Sequence, residues 1–128
     1  MKRVMSGKII DTIVISEIVE EGQARLQNLV NDYILRSVYI ISIMKELLLR
    51  DDYERLAIEA IWLRRLADSL GANRVHALCN SIALQCQSNP MYHEHYQIKC
   101  KLQLLERQNF RGHQALLQML AYQGHRQA

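Results

Sequence analysis

The chain has 128 residues, 49% of them hydrophobic and 23% charged, with a formal net charge of +3. That length bounds it to a single domain over 1–128, able to bury a core without disulfide or metal staples. Its Lys and Arg residues are scattered, so it lacks the concentrated basic face that nucleic-acid backbones require.

Other features narrow the setting. No apolar run reaches ~18 residues, so no membrane-spanning helix is expected. Lys8, Asp11 and Glu17 interrupt any signal-peptide core behind Lys2 and Arg3. Three Cys without C-x-x-C spacing argue against a disulfide framework or a zinc site. They fit buried thiols in a reducing compartment, which points to the cytosol with passage into the nucleus. No cofactor and no metal are expected.

Gly and Pro are scarce, at 5 and 1, which favours long helices over hairpins. Residues 8–21 carry Ile9, Ile10, Ile13, Val14 and Ile18 at helical spacing up to Gly22, although the β-branched run also permits a strand. Residues 24–49 carry a wide apolar stripe of Leu26, Leu29, Val30, Tyr33, Ile34, Val38, Ile41, Met44 and Leu48. Asp51 and Asp52 supply carboxylates at the start of the next helix. There Leu56, Ala60, Leu63, Ala67 and Leu70 form the inward stripe, and Gly71 ends it. Asn73 opens a fourth helix that turns Val75, Leu78, Cys79, Ile82 and Cys86 inward. Ser88-Asn89-Pro90 closes that helix and opens the last one, with Pro suited to a first turn. Residues 91–122 place Ile98, Leu102, Leu105, Leu116 and Leu120 at helical intervals, with a bend expected at Gly112. Short links and one apolar stripe per helix predict an all-α, up-down helical bundle.

The stretch Ile61 to Cys86, IWLRRLADSLGANRVHALCNSIALQC, is the most informative. It resembles the centre of the plant-type histidine-containing phosphotransfer family. That motif is a His, then x-L-K-G-S-S-S-S-I/L-G-A, then R-V and two Cys seven residues apart. Leu63, Ser69, Leu70, Gly71, Ala72, Arg74, Val75, Cys79 and Cys86 fall in register. Upstream, Asp51 to Ile61 is similar to the family's V-D-F-K-K-V-D-A-H-V-H. Downstream, the spacing from Leu102-Gln103-Leu104-Leu105 to Phe110 resembles its last helix. The likeness covers roughly residues 25–120 and is strongest over 51–86.

The resemblance implies a four-helix phosphotransfer bundle with an extra N-terminal helix. It also implies partners: receiver domains of hybrid sensor kinases and response regulators in a cytokinin-type phosphorelay. The departures decide the chemistry. The phosphoacceptor His falls on Ile61, and an alkyl group has neither lone pair nor titratable proton. The family's Lys is Arg64, its next Gly is Arg65, and the serines become Leu66, Ala67 and Asp68, with Ser69 retained. Helical spacing sets Glu54, Ile58, Ile61, Arg65 and Asp68 on one face, opposite the core stripe. The resemblance thus implies a monomeric, non-enzymatic competitor that docks receivers through Ile58, Ile61, Arg64, Arg65, Asp68 and Ser69 and accepts no phosphate. Arg65 is expected to crowd the approach, so that Ile61→His regains activity only together with Arg65→Gly.

Plainer readings stand beside this one. Ile61 fits an ordinary bundle residue without a receiver partner, and Trp62 fits packing at a helix edge. Arg64 and Arg65 fit a solvated face, with Arg64 pairing to Asp68. The helical scaffold could have lost receiver docking, or a non-aligned histidine (His76, His113 or His125) could carry the phosphate. His93, Glu94 and His95 read as exposed polar residues at a helix start, because i and i+2 do not share a face. Cys79 and Cys86 read as core thiols.

Overall fold

The computed structural model describes residues 9–127, with side chains through Tyr122. Lys2, Arg3, Lys8 and the side chain of His125 lie outside the described residues. Five helices and no strand occur among the described residues: α1 Thr12–Glu21, α2 Gln23–Leu49, α3 Tyr53–Ser69, α4 Asn73–Gln87 and α5 Tyr92–Gln127. Packing of α2 on α3, α3 on α4, α4 on α5 and α5 back on α2 closes a ring of four, and α1 leans on α2. The protein is an all-α helical bundle. No described helix is long and apolar enough to cross a membrane.

Each corner of the ring turns on one residue in the left-handed region: Asp51 (φ 55°), Gly71 (φ 68°) and Asn89 (φ 54°). Asp, Asn and Gly tolerate this region best. Two corners satisfy their helix-end carbonyls identically. Asp52 N–H donates to the Leu47 carbonyl at 3.0 Å and Asp51 N–H to Leu48 at 3.1 Å. One helix later, Ala72 N–H donates to Ala67 at 2.9 Å and Gly71 N–H to Asp68 at 3.2 Å. Both are Schellman closures. Asp52 then caps α3, its side chain accepting from Arg55 N–H at 3.2 Å.

The core is the expected set with local changes. Leu56, Ala60, Leu63, Ala67 and Leu70 are fully buried, as are Cys79, Ile82, Ile98 and Leu105. On α2 the seam runs through Ser37 rather than Val38, which is 56% exposed. Polar partners on α5 explain that choice: Asn109 Nδ2 donates to Ser37 Oγ at 3.0 Å, and His113 Nε2 lies 2.8 Å from it. Tyr33 completes the buried chain, its hydroxyl donating to Asn109 Oδ1 at 2.8 Å. Pro90 sits in the α4–α5 link, not in the first turn of α5, because that helix begins only at Tyr92. Gly112 lies inside an uninterrupted helix, so no break occurs there.

Candidate functional site: the outer surface of α3

Because α3 packs between α2 and α4, its outer surface is a narrow ridge with a groove on each side. Exposed residues along the ridge are Ile58, Trp62, Arg65 and Ser69. This series keeps Ile58 and Arg65 of the expected Ile58, Ile61, Arg65, Asp68 series, with Trp62 and Ser69 in place of Ile61 and Asp68. Ile61 and Asp68 are half-buried, on the side toward α4. Periodicity allows either ridge; the positions of the two flanking helices choose between them.

The expected docking residues therefore divide into three environments. Ile58 and Ile61 line the α3–α4 groove, a concavity of about 620 Å³ shared with Tyr53, Ala57, Cys86 and Pro90. Glu54 is the charged side chain lining that groove. Arg65 and Ser69 instead line the α2–α3 groove, about 570 Å³, with Arg36, Tyr39, Trp62 and Leu66. Arg64 and Asp68 are engaged with α4. Arg64 Nη1 donates to Asn80 Oδ1 at 2.7 Å. Asp68 Oδ1 lies 2.8 Å from His76 Nδ1, an ion pair when that imidazole is protonated. The Arg64–Asp68 pairing read from i,i+4 spacing is thus replaced by contacts across the helix interface.

Arg65 does not cover position 61. Its guanidinium lies over the Trp62 ring, 5.5 Å from the centroid, a cation–π geometry that draws it toward α2. Ser69 turns back on its own helix, Oγ donating to the Leu66 carbonyl at 2.6 Å. Trp62 is 55% exposed and Tyr39 68% exposed, and both stand in the α2–α3 groove. Sequence reasoning set Trp62 aside and missed Tyr39 and Arg36. The available signal was chemical: a lone Trp beside paired arginines in a chain with 6% aromatic residues.

Several titratable groups lie in the seams and corners around α3. His113 is buried in the α2–α5 network, and desolvation holds its pKa below the usual imidazole value. His95 is not simply exposed at its helix start: Nδ1 lies 2.6 Å from the Tyr53 hydroxyl and 3.2 Å from Asp51 Oδ1. These contacts tie α5 to the α2–α3 corner, and desolvation together with the Asp51 carboxylate raises the Tyr53 pKa. Burial pushes the Cys79 thiol up to about 12 and Cys86 up to about 11, so both stay protonated and unreactive at neutral pH. No group of three His, Cys, Asp or Glu side chains among the described residues could hold a metal ion. The α3 surface offers apolar contacts on both sides of the ridge and cationic contacts on the α2 side.

The chain matches no protein-family model, no curated protein and no solved structure.

Proposed function

We propose that this chain is a phosphorelay signalling protein of cytokinin type that docks receiver domains and accepts no phosphoryl group. It acts as a competitor that occupies receivers and dampens the relay. The observation that carries this reading is Ile61. It stands in the register of the family's phosphoacceptor His, on a solvent-facing helix edged by cations and apolar side chains. An alkyl group at the reacting position removes the chemistry, while the surrounding ridge keeps what a docking surface needs. The surface charge has the right sign for a partner whose active site is built from carboxylates. The protein acts as a monomer in the cytosol and nucleus, without enzymatic activity of its own.

Titration calorimetry against a panel of isolated plant-type receiver domains tests this. Micromolar binding that Arg65→Glu weakens is the expected result. Absence of heat with every receiver would sink the reading and leave a helical scaffold that has lost receiver docking. Acid-labile phosphate on the wild-type chain after incubation with a phosphorylated receiver would instead show transfer through a non-aligned histidine.

A further inference from the structure

We infer that the α2–α3 groove, and not the α3–α4 groove at Ile61, anchors the partner, and that the partner presents a carboxylate beside an apolar side chain. This inference rests on the receiver-docking reading and assigns the anchor within it.

Three observations converge on that groove. The first is composition. Trp, Tyr and Arg are the residue types that dominate binding energy at protein interfaces. Trp62, Tyr39 and Arg65 meet here around an apolar floor of Ile40 and Leu66. Trp62 and Tyr39 keep more than half their surface in water.

The second is the state of Arg65. Its planar face is occupied by Trp62, at 5.5 Å, while no ion pair or hydrogen bond to another described side chain engages its edge. Stacking fixes the plane and leaves the N–H fork available for bidentate capture of a carboxylate. Antiparallel packing of α2 on α3 brings Arg36 level with Arg65 and Tyr39 level with Trp62. One end of the groove is thus cationic and the other aromatic. Among the described residues Arg36 is engaged by Asp32 on its own helix, at 2.9 Å with both side chains exposed, a contact that a partner carboxylate displaces at little cost. Glu59 also lines the groove, but six residues of helix hold it about 9 Å along the axis from Arg65.

The third is the contrast with the neighbouring groove. There the charged lining residue is Glu54, which repels a carboxylate. Arg64, the cation nearest Ile61 in sequence, is committed to Asn80. An acidic partner is therefore steered to the α2 side of the ridge.

Trp62 is the single Trp of the chain, so its emission reports this groove directly. The experiment titrates the full chain with tryptophan-free receiver domains, following Trp62 emission and, in parallel, calorimetry of wild type, Trp62→Ala, Trp62→Phe, Arg65→Lys and Ile61→Glu. Circular dichroism checks that each variant is folded. Binding should shift the emission. Trp62→Ala should weaken affinity by about tenfold or more. Trp62→Phe should keep most of it, and Arg65→Lys should lose several-fold despite retaining its charge. Wild-type affinity in Trp62→Ala, with loss in Ile61→Glu, would overturn the inference and leave the receiver reading intact. Absence of binding by every receiver would overturn both. Emission that changes with the concentration of this chain alone, with a dimer in size-exclusion chromatography, would assign the groove to a second copy and overturn the inference.

Discussion

At the scale of single residues, position 61 is defined by what surrounds it. Ile61 packs half-buried against the core cluster and opens onto the α3–α4 groove, whereas Arg65 folds over Trp62 on the other flank. An imidazole at 61 would therefore find its approach open without further change. Ile61→His alone should yield acid-labile phosphate after incubation with a phosphorylated receiver domain, and adding Arg65→Gly should give no further gain. Phosphate in the double variant but not in the single one would show that the guanidinium swings across position 61 during docking. This revises what the residue order suggests, because adjacency in sequence says nothing about which flank of a helix a long side chain chooses.

At the scale of elements, corners and seams carry the specificity. Gly71 is required twice over. Its φ of 68° disfavours any side chain, and an added Cβ would stand 2.8 Å from Asp11 Cβ. Asp11 N–H donates to the Gly71 carbonyl at 2.8 Å, which fastens the start of α1 to the α3–α4 corner. Gly71→Ala should therefore destabilise the fold by about 1–3 kcal/mol, read from urea unfolding; an unchanged midpoint would refute the corner's strain. Between α2 and α5, the buried chain Tyr33–Asn109–Ser37–His113 fixes register in the seam, with the Lys45–Glu106 ion pair at its exposed edge. Buried polar groups with satisfied partners favour one alignment, because a slipped one would leave them unpaired.

At the scale of the whole molecule, that same seam couples folding to pH. His113 is only 8% exposed, and burial holds its pKa below the 6.5 of an exposed imidazole. The groups facing it are Tyr33, Ser37 and Asn109, with Glu106 lining the same shallow groove. Because the unfolded chain binds the proton first, stability is complete above about pH 6.5 and declines as the pH falls toward the lowered folded-state value. The slope from this one group reaches at most ~1.4 kcal/mol per pH unit. Urea titrations at a series of pH values from about 7.5 down to about 5 should show wild type losing stability more steeply than His113→Gln. Parallel curves would remove His113 as the cause.

What the sequence by itself determined was the class and order of elements. Scarce Gly and Pro, five runs at helical period and carboxylates at Asp51 and Asp52 suffice to specify helices and the chain's corners, because these are local energetics. The fully buried stripe of α3 was legible for the same reason: its period leaves one apolar face. What only the tertiary structure decided was which of two equally periodic ridges on α3 faces water. Ile61 and Trp62 are neighbours one helical step apart, and nothing local distinguishes them. The flanking α2 and α4 do, by covering one side and leaving the other open. Likewise Ser37 displaced Val38 from the seam because Asn109 and His113, more than seventy positions away, supply its partners. Pairings across helices depend on where distant side chains arrive, and a one-dimensional pattern does not contain that information.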